Sequence, residues 1–411
     1  MGLQRGVCVI GAGMTRFHHK IHKDKSGREL FVEAALEAME SVDKGIERKD
    51  IQALFVGYFT PSLYEHQGHI GPLVTDWMGL TPITGWRTET ACASSIAAFM
   101  TGVLAIASGW YDVVMVGGVE KMTALPTEGV TDALSVAADD DYEIPAGATF
   151  PGLYALLAQA YFKKYNMTWE DLQAIPIKNH HNGALNPKAQ FQEEIMDIAK
   201  RIGQREGVTF KDPLDFLKSK YNRVIAWPLR LFDCCPISDG AAVAILAAED
   251  VAKKFTDTPI RVAGIGFGTD TLALHDRISL TSFASAVFAS RQAYKMAGIE
   301  PKDVDVVEVH DCFSIAEVIA TEDLGLFERG EGLKAAVEGR TALDGDRPVN
   351  PSGGLKCKGH PVGATGAAMI HELWKQLRGE AGKRQIPDAE IGLAHNVGGT
   401  GASCGVVILR R

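Results

Sequence analysis

The chain has 411 residues, 46% of them hydrophobic and 23% charged, with a formal net charge of -9. That length exceeds one small core and points to two domains or a duplicated unit. The acidic balance argues against nucleic acid, although a local basic patch for an anionic small molecule remains allowed.

The N-terminal MGLQRGVCVIGAG runs straight into a strand, with no signal-peptide pattern. Its Gly11 and Gly13 make a weak dinucleotide signal, because Arg16 stands where a third glycine would be and no phosphate-loop lysine follows. Residues 28–43 place apolar side chains at 30, 31, 34, 35, 36 and 39, a helical period. The runs 112–119 (DVVMVGGV) and 241–248 (AAVAILAA) predict short buried strands. Between them, 120–240 is rich in Pro, Asp and aromatics and carries helices near 151–165 and 189–203. It reads as an insertion domain that covers a site. Further on, 284–297 and 363–378 predict helices, and 304–309, 389–396 and 403–409 predict strands. No apolar run reaches the length of a membrane span, so no membrane is expected. The seven cysteines lack the spacing of a disulfide framework, and a reducing cytoplasm is the expected location.

The chain also repeats itself. VCVIGAG at 7–13 matches VAGIGFG at 262–268, and GIERKDIQALFVG at 45–57 matches GIEPKDVDVVEVH at 298–310, in the same order and at nearly the same offset. Two homologous halves follow, each starting strand, helix, strand. The expected division is 1–119 plus 241–258 for the first half, 120–240 for the insertion, and 259–411 for the second half. Strands alternating with helices predict an α/β fold of mixed sheets with helices on their faces.

Four segments carry reactive residues. Cys92, in ETACASSIAAF, sits where a polar stretch turns into an Ala/Ser-rich helix. A helix N-terminus favours the thiolate, as in a strand-to-helix nucleophile elbow; a buried structural cysteine suits the position equally. His360 precedes the Gly/Ala-rich opening of a helix, with Pro361 at its start, and could deprotonate a thiol. A surface-loop histidine fits as well. His395 ends a strand and is followed by Gly398, Gly399 and Gly401, whose freed amides could form an oxyanion hole or simply a glycine hairpin. EVHDCFSIAEV at 308–318 sets His310, Asp311 and Cys312 side by side after an apolar run. His310, Cys312, Cys357 and His360 could together hold zinc, but no Cys-x-x-Cys knuckle accompanies them, and no metal is expected.

These residues together resemble the thiolase superfamily over the whole chain. The resemblance rests on the duplicated halves, TACASS at 90–95, GGVEKM at 117–122, CPISDGAA at 235–242, GHPVGATG at 359–366 and the terminal Gly-rich strand pair. It implies a five-layer α-β-α-β-α fold and action on CoA thioesters by a homodimer or a dimer of dimers. Most thiolases carry Asn-Glu-Ala-Phe where this chain has His310, Asp311, Cys312 and Phe313. Most also carry a Cys-x-Gly where it has His395, Asn396 and Val397. The cysteine absent from one loop stands in the other, as in sterol-carrier-protein-type thiolases and archaeal acetoacetyl-CoA thiolases.

The resemblance implies a ping-pong acyl transfer. His360 activates Cys92, Cys92 takes the acyl group, and Cys312 is the acid/base. One oxyanion hole would use His310 and His360. The other would use the Cys92 amide and an amide of the 397–399 turn, Gly398 being the candidate, with His395 orienting one of these groups. Coenzyme A enters as a co-substrate and no permanent cofactor is implied. Phe313 and Cys235 match positions that line the pantetheine channel. Lys178, His180 and His181 could meet its phosphates, or be ordinary solvated residues. Acetoacetyl-CoA is the simplest substrate; longer-chain, steroid, aryl and dicarboxylic acyl groups stay open. Two other functions fit the fold. One is a thiolase-fold aldolase or condensing enzyme without an acyl-cysteine. The other is a subunit serving a small zinc-ribbon/OB-fold partner, which thiolases of this type often have. The C-terminal LRR is not a Ser-Lys-Leu-type peroxisomal address.

Overall fold

A computed structural model describes residues 2–411. The apolar runs form β1 (Val7–Met14), β2 (Ala53–Gly57), β3 (Thr84–Thr88) and β4 (Val113–Lys121). A short hairpin, β5 (Val224–Ala226) and β6 (Leu229–Arg230), precedes β7 (Asp239–Ala248). β8 (Ile260–Thr269), β9 (Val306–Val309), β10 (Ile391–Gly398) and β11 (Ser403–Arg410) follow. Nine strands hydrogen-bond into one sheet in the order β3-β2-β4-β7-β1-β8-β11-β10-β9. β1, β4 and β7 are buried along their whole length, which is why their sequences read as continuous apolar runs and not as alternation.

The strand order repeats the internal duplication. β2 runs parallel to β4 as β9 runs parallel to β10. The antiparallel neighbours β4–β7–β1 correspond to β10–β11–β8. The two units join where β1 meets β8, over only Cys8–Arg261 and Val9–Ile260. β3 adds a parallel edge to the first unit; in the second, a single bridge between Val307 and Val349 occupies the matching place.

Helix Gly27–Glu40 covers β1 and β7 from outside, and helix Ala284–Ala297 covers β8 and β11. Between the units lie helices Ser94–Ala107 and Thr365–Arg378, in contact with each other. The first packs on β2, β3 and β4 and reaches β11; the second packs on β10 and β9 and reaches β1 and β7. The result is the expected α-β-α-β-α layering. Such close layers need small residues: a Cβ on Gly366 would meet Ile96 and Asn396.

The insertion leaves the sheet where Lys121 of β4 pairs with Asp239 of β7, a rung reinforced by a buried 2.6 Å ion pair. Its helices include Phe150–Tyr165, Ala174–Ala184 and Ile195–Glu206. The last starts later than the expected 189. The amides of Gln190 and Phe191 are taken by the carbonyls of Lys358 and Cys357, which holds this segment extended against the loop before His360. Likewise the helix expected from 363 begins at Thr365, after a tight turn at Val362–Ala364. Among the described residues no helix is long and apolar enough to cross a membrane.

Candidate active site

After β3 the chain turns through Ala91 at φ 51°, a left-handed conformation, and enters the Ser94–Ala107 helix. The Ser94 hydroxyl ties this turn, donating to the Ala91 carbonyl (2.6 Å) and accepting from the Thr90 amide (3.0 Å). Cys92 sits in it, half-buried. Burial, and then the neighbouring Cys312, push its thiol up; the amides of Gly399 and of Cys92 itself point at the sulfur and oppose this. Burial thus opposes the thiolate that the helix start favours, and a base beside the thiol would help it form.

His360 lies where such a base would stand. Its Nδ1 lies 2.6 Å from Thr365 Oγ1, whose hydroxyl donates to the Pro361 carbonyl at 3.2 Å. Nδ1–H is thus the donor to Thr365, and Nε2 keeps a lone pair. Burial, with Lys358 adding, pushes the ring's pKa down to about 3, so it is a neutral acceptor. His310 has the opposite tautomer. Asn396 Nδ2 donates to its Nδ1 at 2.8 Å, leaving an Nε2–H that is buried without a partner. Burial first, then His360 and His395, keep His310 uncharged. The two rings stand edge to face, centroids 5.0 Å apart. One nitrogen of each and the Cys92 sulfur lie within 4.8 Å of one another.

Cys312 closes the group. Burial pushes its thiol up to about 12, while a hydrogen bond with Tyr154 and the charge of Lys356 pull it down. Its carbonyl accepts from the Cys235 amide at 2.9 Å. Phe313 stacks on Tyr154, centroids 4.6 Å apart. Cys235 and Phe313 thus both frame the Cys312 turn. Asp311 turns away. It accepts from Asn179 Nδ2 (2.8 Å) and the Leu355 amide (2.6 Å) and lies 3.6 Å from Lys356, so it anchors the loop. A cavity of about 400 Å³ adjoins the nucleophile turn, lined by Phe59, Thr60, Ala91, Val136 and Gly399 among others.

Several expectations change. Both ring nitrogens of His395 are buried without a hydrogen-bond partner among the described residues, and the residue that bonds His310 is its neighbour Asn396. The amide facing Cys92 belongs to Gly399, not Gly398. A Cβ on Gly398 would overlap the Thr90 carbonyl, so its smallness lets the hairpin pass the Cys92 turn. Cys357 donates to the Phe191 carbonyl at 3.1 Å inside the insertion contact, so the four-residue zinc grouping does not assemble. Lys178 is buried on Glu317 at 2.8 Å and His180 is buried among Phe191 and Phe232. His181 pairs with Glu194 at the surface. None of the three is a free phosphate contact. Sequence reasoning missed Thr365, Asn396 and Tyr154. Thr365 lies inside the GHPVGATG motif and Asn396 follows His395, whereas nothing local marks Tyr154.

Comparison with known proteins identifies the family. Residues 7–250 match the family described as "Thiolase, N-terminal domain", and 266–411 match "Thiolase C-terminal domain-like". The chain is 46% identical to the acetyl-CoA acetyltransferase of Methanothermobacter thermautotrophicus, covering 99% of this chain and 100% of that one. It is 32% identical to sterol carrier protein 2 of Bos taurus, over 97% of this chain and 71% of that protein. Among solved structures, the Ltp2-ChsH2(DUF35) aldolase superposes with a TM-score of 0.80 at 22% identity, covering 100% and 99% of the two chains, which shows a shared fold.

Proposed function

Because the chain belongs to the thiolase family, we propose that it cleaves or forms 3-oxoacyl-CoA through an acyl-Cys92 intermediate. The observation that carries this is the convergence of the Cys92 sulfur with a nitrogen each of His310 and His360, beside the Cys312 thiol. His360 Nε2 takes the proton of Cys92 as the sulfur attacks the 3-keto carbon. The amides of Cys92 and Gly399 hold the resulting oxyanion, each donor being worth about 3 kcal/mol of barrier. The C2–C3 bond breaks, its electron pair passes to the departing thioester enolate, and Cys312 gives C2 its proton. His310 Nε2–H and the now protonated His360 face the enolate oxygen. Free CoA then yields its thiol proton to Cys312 and carries the acyl group off Cys92. Synthesis runs the same steps backwards, with Cys312 removing the α-proton.

The aldolase reading is weaker, because this chain keeps the nucleophile with its base and oxyanion donors. Acetyl-CoA and acetoacetyl-CoA are the substrates best supported, given the acetyl-CoA acetyltransferase relative that this chain matches from end to end. The open edge of β3, with Trp86 39% exposed, supports self-association. A small zinc-ribbon partner is supported by the DUF35 complex that shares the fold. The free cysteines among the described residues fit a reducing cytoplasm.

The test is incubation with a panel of acyl-CoA and 3-oxoacyl-CoA esters, followed by peptide mass mapping. The expected adduct is an acyl group on Cys92 that free CoA discharges. Full turnover after selective alkylation of Cys92 would sink the reading. Native mass measurement of the same preparation reports whether copies of the chain, or a small zinc protein, accompany it.

A further inference from the structure

The short helix Gly354–Lys358 carries two lysines, Lys356 and Lys358, both at most 2% exposed. Burying an ammonium is unfavourable unless an opposite charge and hydrogen bonds compensate it, and an apolar side chain of similar volume is often the more stable choice. Lys358 is compensated. It meets Glu308 at 3.1 Å, and that carboxylate also accepts from the amide and hydroxyl of Ser352 at 3.0 and 2.7 Å. Lys356 is held differently. The carboxylate beside it, Asp311, lies 3.6 Å off, and the two Asp311 oxygens already accept from the Leu355 amide (2.6 Å) and Asn179 (2.8 Å). The one hydrogen bond of Lys356 among the described residues runs to the main-chain carbonyl of Asp311, at 2.8 Å. That carbonyl belongs to the peptide bond that leads into Cys312.

We propose that Lys356 is a positioning residue for Cys312: its ammonium grips the peptide that enters the Cys312 turn and sets a fixed positive charge beside the sulfur, favouring the thiolate that removes a proton. This rests on the acid/base role of Cys312. Covalent geometry, measured from the gripped carbonyl, keeps the ammonium within about 8 Å of that sulfur. At that range, with an effective dielectric of about 20, a unit charge moves a neighbour's titration by about 1.5 pH units. Burial is what opposes the Cys312 thiolate most; of the two charges at the turn, the pull of Lys356 exceeds the push of Asp311. In synthesis the thiolate takes the substrate's α-proton, and the electron pair of that C–H bond stays on the substrate as an enolate. Lys356 neither gives nor takes a proton in the step. The other titratable groups facing Cys312 are Tyr154, Cys92, Cys234 and Cys235. Asp233, His180 and His310 face Lys356, and Glu317 and Lys178 face Asp311.

The test is iodoacetamide alkylation of the full-length protein, read separately at Cys312 and Cys92 by peptide mapping over a series of pH values. The rate at each thiol follows its thiolate fraction. Lys356→Met keeps an unbranched side chain of similar bulk and removes the charge. The Cys312 rate should fall about 30-fold at each pH below the thiol's titration, and the Cys92 rate should hold. Adding Asp311→Asn to Lys356→Met removes the opposing charge as well, and the Cys312 rate should recover several-fold. A turn that Lys356 merely anchors would lose its second anchor in that double variant and would not recover. An unmoved Cys312 rate, the two cysteines falling together, or no recovery in the double variant overturns the proposal and leaves Lys356 a packing residue. If Lys356→Met does not fold, the double variant is compared with Asp311→Asn alone, where no carboxylate is left unopposed. A lower Cys312 rate in the double variant supports the proposal, and equal rates overturn it. α-Proton exchange of acetyl-CoA in deuterated water should slow together with the Cys312 rate in Lys356→Met. Exchange that survives Cys312→Ala removes the acid/base role itself, whereas the alkylation rates test Lys356 independently of that role.

Discussion

Thr365 decides which nitrogen of His360 faces Cys92. Its hydroxyl is committed as a donor to Pro361 and accepts from Nδ1–H, so the lone pair of Nε2 is left for the thiol. Thr365→Val keeps the shape of the helix start and removes the acceptor. The orphaned Nδ1–H then costs about 1 to 3 kcal/mol, and the ring loses its fixed tautomer. Acylation of Cys92, followed in a rapid-mixing experiment, should fall roughly 10- to 100-fold, whereas Thr365→Ser should keep most of it. An unchanged rate in the valine variant would show that the ring is held by packing alone. Cys92, His360, His310 and Cys312 could be singled out because each stands in a short motif. Their orienting partners were less legible, because the contacts cross long stretches of chain: His310 to Asn396 spans 86 residues, and Tyr154 to Gly399 spans 245. No periodicity or local composition encodes such a pair.

The insertion helix Ala174–Ala184 shows the same limit one level up. Its sequence, KNHHNGA at the C-terminal end, looks solvated. In the fold its polar residues, His181 apart, point inward. Asn179 binds Asp311 and Glu317, Lys178 pairs with Glu317, and Asn182 donates to the Asn350 carbonyl. A Cβ on Gly183 would overlap the Cys357 sulfur. The helix therefore braces both the Cys312 loop and the loop before His360. Polar residues read as surface when their partners lie in another part of the chain. His180 on this helix provides a measurable signature. Its Nδ1 bonds the Glu193 carbonyl, and burial pushes its pKa from the ordinary 6.5 down to about 4. The unfolded chain then binds more protons than the folded one below pH 6.5, so this residue's contribution to stability is lost as pH falls through that value. By pH 5.5 the loss is about 1.4 kcal/mol relative to pH 7.5. His180→Gln, which cannot titrate, should narrow its stability gap to the parent by that amount between the two pH values, read from urea unfolding midpoints. A constant gap would mean that His180 is not buried as a neutral ring.

At the scale of the whole molecule, the duplication was legible and its use was not. The repeated segments announced two halves, and the strand order repeats accordingly. Yet the halves are unequal in chemistry. The first supplies Cys92; the second supplies His310, Cys312, Asn396, Gly399 and His360; the insertion supplies Tyr154 and Cys235. Catalytic geometry therefore depends on how closely the halves meet, and the tightest seam is at the His360 turn. Glu120, at the end of β4, accepts from the amides of Phe59 (3.0 Å) and Thr60 (3.1 Å) in its own half and of Gly363 (2.9 Å) in the other. Beside it, Gly118 packs so tightly that a Cβ would overlap the Gly363 carbonyl oxygen. Gly118 is not among the residues with positive φ, so alanine is unstrained there as backbone and acts through overlap with the Gly363 carbonyl and with the Cβ of Ser95. Gly118→Ala should push the turn after His360 away from Cys92. Overpacking of this kind costs about 1 to 3 kcal/mol of stability, and a displacement of about 1 Å at a catalytic base costs on the order of a hundredfold in rate. The expected protein is folded, melts a few degrees lower, and acylates Cys92 about a hundredfold more slowly. Thermal melting and single-turnover acylation measured on the same sample check both parts. A variant that loses stability but acylates at the parent rate would show that the seam sets the fold without setting the distance between base and nucleophile.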